Sequence, residues 1–404
     1  WNKKMKNFLY LLSFCVFFFS CSKKPIEKLP ITTSSTDALI YYEKAIKHLQ
    51  VGEQMEKRKY LDSALILDPF FALALEFYDS PNLIKRKKDQ EKAKSLFSKI
   101  SEEEQNILEI REGYRTNNMD KALECAKNIV SLKPNSFESY NWLGIVQSDR
   151  NEIKEAIVSF EKAIDIYKNN FVAYNYLMGH HIPTGNRVML PESERNRKKG
   201  LEYADQLIRI RPEAGFSYHF KANYYRMIGD FEKAKPLYEK SIEKRRGSSS
   251  EGTALLVSGH NYMFSGDYET ARQRYKEAIK KEKTPMGELT LSDYVVWSYI
   301  FEGDFPGAIR EILNIEKNID DLKLNKEELL QSKASLSFQK FVFYAHNQME
   351  KETKKTLLEN KKHRKKRADF LKDTVVFVEQ KYMDAYMDTW YHILFGRYEE
   401  SKKH

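Results

Sequence analysis

The side chains best suited to chemistry in this sequence are three cysteines, an adjacent histidine pair and one dense basic run. Cys15 and Cys21 lie in or just after an apolar N-terminal stretch, and Cys125 stands alone in the body. One body cysteine builds neither a disulfide framework nor a zinc site, so Cys125 is expected to be a small buried apolar residue. His180-His181 could offer two imidazoles to a metal, but a site needs a third ligand that the neighbouring sequence does not supply. No Gly-rich phosphate loop, His-Glu-x-x-His or Gly-x-Ser-x-Gly occurs, which leaves no catalytic constellation and no cofactor cradle. From 350 to 367, nine Lys/Arg face three Glu, and this local +6 accounts for most of the net charge of +10. The Lys361–Arg367 part of that run could meet anionic headgroups or an acidic partner. No Tyr or Phe is interleaved with its charges, which argues against nucleic acid.

The elements that position these residues begin with an N-terminal address. Met5 is the expected initiator, with residues 1–4 upstream of it. Lys6 supplies positive charge, and Phe8 to Phe19 form an apolar run too short for a bilayer span but suited to a signal-peptide core. It ends in Phe18-Phe19-Ser20-Cys21, which resembles the lipobox of bacterial lipoproteins. Ser20 fits the small position, while Phe18 and Phe19 depart from the usual Leu and small residue. The resemblance implies diacylglyceryl transfer to Cys21, cleavage before it, and attachment through several acyl chains. Ser22 where an Asp would mark inner-membrane retention, and Lys23-Lys24 where an acidic cluster would mark surface export, imply an outer-membrane protein facing the periplasm. Residues 1–21 are thus expected to be the signal peptide and 22–36, rich in Thr, Ser and Pro, a flexible tether.

Beyond the tether the chain repeats itself. Ala122 and Ala156 stand 34 residues apart in like contexts. Gly229-Asp230-Phe231, Gly266-Asp267-Tyr268 and Gly303-Asp304-Phe305 each lead to an alanine (Ala234, Ala271, Ala308) at intervals of 37. Phe160 and Ala163, Tyr238 and Ser241, Tyr275 and Ala278 follow their alanines by four and seven residues. Such units read as antiparallel helix pairs: Gly makes the tight turn, Asp caps the second helix, alanine allows close approach, and the aromatic fills the gap to the next unit. The scarcity of Gly (16) and Pro (11) in 404 residues suits long helices. The pattern resembles the tetratricopeptide repeat family, with Tyr140-x-x-Leu143-Gly144 before Ala156-x3-Phe160-x2-Ala163 as a close match.

The resemblance implies an all-α fold, a right-handed α-solenoid over residues 37–318. An insertion at 182–192 interrupts one pair, Lys57 stands where a small residue is expected, and Pro236 falls inside a second helix. Residues 319–404 lose the pattern and are expected to form a helical cap or a degenerate or truncated repeat, with Phe395-Gly396-Arg397-Tyr398 opening a further unit. By resemblance to peptide-binding members, first helices line a concave face whose candidates are Asn141, Asn175, His219, Asn223, Arg226, His260, Asp293 and Trp297. Asn can hold a peptide backbone, Arg can grip a carboxylate with two donors, and Trp can anchor an apolar side chain. The expected function is a non-enzymatic scaffold of the bacterial envelope that binds a protein or peptide and reaches the membrane through its lipid. A nutrient- or carbohydrate-capture lipoprotein working with an outer-membrane transporter, or a sensory domain, is the alternative.

Overall fold

The structure, a computed structural model, describes residues 25–184 and 189–404; Cys21 and the leader lie outside them. The described chain is built of helices that pair with their sequence neighbours, and it divides into two compact units, one up to Arg211 and one from Pro212 onward. Among the described residues no helix is long and apolar enough to cross a membrane.

The first unit holds α1 (Thr36–Gln50), α2 (Gln54–Leu67), the short α3 (Ala72–Tyr78), α4 (Leu83–Ser95), α5 (Glu102–Arg115) and α6 (Met119–Leu132). It continues with α7 (Phe137–Asp149), α8 (Ile153–Ile166), α9 (Phe171–His181) and α10 (Arg197–Ile210). Pairs α1/α2, α5/α6, α7/α8 and α9/α10 pack along their lengths. The seams follow the expected residues: Ala122, Ala156, Phe160 and Ala163 are fully buried, and so is most of Cys125. Lys57 is buried as well, and burial lowers its ammonium to about 8. The close of the insertion is packed: Ile182 and Leu190 are buried, and Leu190 N–H donates to the His180 carbonyl at 3.0 Å.

The second unit holds α11 (Gly215–Met227), α12 (Phe231–Arg245), α13 (Glu251–Ser265), α14 (Tyr268–Lys281), α15 (Pro285–Glu302) and α16 (Phe305–Asn318). After these come the longer α17 (Lys326–His346), α18 (Glu350–Leu371) and α19 (Thr374–Leu394), then the short α20 (Tyr398–Ser401). α12 runs on through Pro236. The turns inside the pairs share one geometry. Gly229, Gly266 and Gly303 have φ of +79°, +87° and +84°, the left-handed region that a Cβ disfavours. Around Gly266, the Gly N–H donates to Met263 and the Asp267 N–H to Tyr262, at 3.2 and 2.9 Å, closing the first helix as a Schellman motif. Asp267 then accepts from Thr270 N–H at 3.1 Å and opens the second helix. Asn117 and Asn151 take the glycine's place in the first unit, with φ of +56° and +65°.

Asp267→Ala is expected to lower stability by about 1 kcal/mol, because the cap bond is lost and nothing else is disturbed. Urea unfolding measures it; an unchanged midpoint would show that water replaces the carboxylate without loss.

The same turn recurs past residue 318. Gln348 has φ of +58° between α17 and α18, and Met349 N–H donates to the Tyr344 carbonyl at 2.9 Å. Thr353, Leu357 and Asn360 then stand where alanine, aromatic and alanine stood before, all buried against α17. α17 and α18 are therefore a further helix pair of the same topology, within the stretch expected to be a helical cap or a degenerate repeat.

The stretch expected to be a flexible tether has its own partners in the first unit. Residues 25–35 run extended across α5, α7 and neighbouring loops. Asn135 Nδ2 donates to the Pro25 carbonyl at 2.5 Å, and Leu29 N–H to Glu138 at 2.8 Å. Thr32 donates its N–H and hydroxyl to Glu104 at 2.8 and 2.5 Å. Thr33 hydroxyl and Ser34 N–H reach Asp68 at 2.7 and 2.8 Å. Burial raises the Asp68 carboxyl, but these bonds outweigh it and hold the group below its usual value. Leu29 seals the strap into the core.

Candidate functional site

In the second unit the first helices of successive pairs, α11, α13 and α15, present residues in columns of the 37-residue period. Asn223, His260 and Trp297 form one such column; Met227, Phe264 and Phe301 form another, one turn further along. Members of the second column are exposed apolar side chains: Met227 53 %, Phe264 51 % and Phe301 52 %, with Trp297 at 50 % on the same face as Phe301. The Phe264 and Phe301 rings meet edge to face at 6.1 Å.

Arg226 stands at the end of this ledge. Its guanidinium carbon lies 5.8 Å from the Phe264 ring centre, Nη1 is buried without a hydrogen-bond partner, and no carboxylate of the described residues pairs with it. Two neighbouring histidines answer to that charge. Burial lowers His219 to about 3, with help from Arg245, Arg226 and His260. Burial lowers His260 to about 4, with help from Arg226. Both are neutral at pH 7 and leave Arg226 and Arg245 as the local charges. His219 stands edge-on to Tyr238 and keeps a buried Nδ1 without a partner. His260 Nδ1 is 2.9 Å from the Tyr275 hydroxyl. Asn223 Oδ1 accepts from Tyr238 at 2.7 Å, so these residues also tie each first helix to its second.

The remaining candidates lie elsewhere. Asp293 on α15 turns to α17, where Gln339 Nε2 donates to it at 3.0 Å; burial raises its carboxyl despite that bond. Asn141 and Asn175 belong to the first unit and are nearly buried. Asn141 exchanges amide hydrogen bonds with Asn170, at 2.8 and 3.2 Å, so its amide secures the α8–α9 loop. His180 and His181 are buried against Tyr176, Phe160 and Tyr203, and His180 Nε2 is 3.4 Å from Ser148 Oγ. Among the described residues no three His, Cys or carboxylate side chains gather as a metal site would require. The structure therefore brings together His219, Asn223, Arg226, His260 and Trp297, and adds Met227, Phe264 and Phe301.

Residues 137–170, which are α7/α8, and 217–244, which are α11/α12, match the family model described as Tetratricopeptide repeat. The chain carries tetratricopeptide repeats. They account for the helix pairs, for the Gly-Asp turns and for the 37-residue columns, and such repeats serve as protein-interaction scaffolds. The chain is 26 % identical over 141 residues to Protein CTR9 homolog of Arabidopsis thaliana, a match that takes in 34 % of this chain and 12 % of that protein. It is similar to a solved tetratricopeptide repeat protein from Parabacteroides merdae at 14 % identity and TM-score 0.41, over 69 % of this chain and 97 % of that one. It is also similar to Pseudomonas aeruginosa pilF at 17 % identity and TM-score 0.40, over 54 % of this chain and 91 % of that one. Yeast Tom70 is similar at 12 % identity and TM-score 0.43, over 90 % of each chain. The repeat assignment rests on the two matched segments and on the helix pairing.

Proposed function

We propose that this protein is a non-catalytic scaffold of the bacterial cell envelope, anchored by lipid at Cys21 in the outer membrane and facing the periplasm. Its recognition surface is the α11–α13–α15 face, and its ligand is a protein segment that carries a carboxylate beside an apolar side chain. The observation that supports this reading is Arg226: an arginine without a counter-ion, next to a ledge of half-exposed Phe264, Trp297 and Phe301. A carboxylate would satisfy the guanidinium with two parallel hydrogen bonds, and an apolar neighbour would cover the rings. The surface is preformed on rigid helices, so little ordering is lost on binding. The N-terminal apolar run and Ser20-Cys21 support the anchor.

Cross-linking in intact cells, with native protein and an Arg226→Gln/Trp297→Ala variant side by side, tests it. A protein recovered with the native chain should fall at least tenfold with the variant, as expected for losing a buried ion pair and an aromatic anchor. Equal recovery with both would place recognition away from this face. Metabolic labelling with a fatty-acid analogue should mark the native chain and not Cys21→Ser; label on both would remove the anchor.

A further inference from the structure

We infer that the outward face of α18 is a polybasic surface that lies against the anionic headgroups of a lipid bilayer. The basic run seen in the sequence divides in two when the helix is formed. Lys361 turns inward to Asp388 at 2.5 Å, Arg364 donates to Asn360 Oδ1 at 2.7 Å, and Arg367 approaches Glu379 at 3.9 Å. Lys361 and Arg367 help hold α18 to α19, and Arg364 is tied within α18 itself. Lys351, Lys354, Lys355, Lys362, Lys365 and Lys366 are all exposed, and none has an ion-pair partner among the described residues.

At 3.6 residues per turn these six fall within about 120° of arc, and from Lys351 to Lys366 they extend over about 22 Å. The opposite side of the same helix carries the buried Thr353, Thr356, Leu357, Asn360 and Ala368. One acid, Asp369, shares the outward sector at its C-terminal end, and it is exposed. The lysines form two clusters, 351–355 and 362–366, about 10 Å apart along the axis, close to the screening length of about 8 Å at physiological salt, so their potentials add in part.

Charge complementarity calls for an extended anionic surface, and two further features favour a bilayer over a nucleic acid. The row contains no arginine and no aromatic ring, the groups that fork to phosphates and bases or stack on them. At its middle stands Leu358, 59 % exposed, which gains from entering the headgroup region. The inference does not depend on the lipid anchor, since it concerns a face of the folded second unit.

The test uses the full chain with Cys21→Ser, so that no lipid is attached, and vesicles of phosphatidylcholine with or without added phosphatidylglycerol. The apolar N-terminal run contributes to both, so the ratio of anionic to neutral binding is the readout. That ratio is expected to be tenfold or more and to fall with added salt, given the strength of lysine attraction to anionic leaflets. A Lys351→Gln/Lys355→Gln/Lys362→Gln/Lys366→Gln variant should bring it close to one, while a variant with Lys87, Lys88, Lys276 and Lys280 changed to Gln should not. Glutamine matches lysine in helix propensity, so α18 should persist. A native ratio near one, equal losses in both variants, or a vesicle-independent affinity for duplex DNA that disappears with the first variant, would each overturn the inference.

Discussion

Phe160→Ala should destabilise the first unit by about 3–5 kcal/mol, and Gly144→Ala should cost less in that background than it does alone. Phe160 is fully buried, and its ring stacks on Tyr176 at 4.8 Å. On its other side lies Gly144, where a Cβ would stand 2.8 Å from Phe160 Cε1. The glycine is thus a fitted absence: it lets α7 approach α8 until the ring touches backbone. Alanine at 144 alone forces the ring aside and should cost about 1–3 kcal/mol, although alanine is the better helix former. With Phe160 also removed, the new methyl enters the vacated space, so the double variant should be more stable than the sum of the two changes by about 1–2 kcal/mol. Urea unfolding of the four proteins measures the cycle. Strict additivity would mean that the backbone relaxes around the ring and that close approach is not what the glycine provides.

Mild acid should weaken the second unit, through His219 and His260. Burial holds them at about 3 and about 4, so both remain neutral in the fold while the unfolded chain protonates them below about 6.5. The unfolded state then binds more protons, and stability falls as pH drops through that interval. The rate is about 1.4 kcal/mol per pH unit for each histidine, or about 2 kcal/mol each between pH 6.5 and 5. His219 faces Phe216, Phe220, Tyr238, Arg245 and Arg226, and His260 faces Phe264, Tyr275, Tyr294 and Arg226, so no carboxylate offsets the charge. His363, also lowered by burial, adds in the same direction. Asp293 and Asp384, raised by burial, oppose it when they protonate, whereas Glu251, held low in the fold, loses its contribution only under stronger acid. Comparing urea midpoints at pH 7 and 5 for native protein and His260→Gln isolates one group. The variant should lose less stability on acidification than the native chain; equal losses would mean that protonated His260 finds water or an anion in the fold.

The repeats were legible because their turn chemistry is specific to position. Only a few residues accept positive φ and then cap a helix, so Gly-Asp at regular spacing leaves little choice of structure. The pair α17/α18 was only faintly legible, as a degenerate repeat, for the converse reason. Its turn is made by Asn347-Gln348-Met349, and Thr353 and Asn360 occupy the small-residue positions, so the geometry survives without its usual letters. The strap was read as flexible because Thr, Ser and Pro composition describes only local preference. The carboxylates that receive it, Asp68, Glu104 and Glu138, lie 34 to 109 residues away. Among the site residues, position on a first helix identified the column Asn223, His260 and Trp297. It could not tell that Asn141 would pair with Asn170 or that Asp293 would face Gln339. Phe264 and Phe301 were not among the candidates, although their 37-residue interval placed them in register beside that column.

The docked strap changes what an anchor at Cys21 would do. Only three residues separate Cys21 from Pro25, whose carbonyl is held by Asn135, and a chain that short spans at most about 14 Å. A lipid on Cys21 would therefore act as a short mooring rather than a long leash. The α6–α7 loop would ride at the headgroup surface, and the first unit could pivot about it but not drift into the surrounding space. Partners that meet this protein would have to come to the membrane to do so.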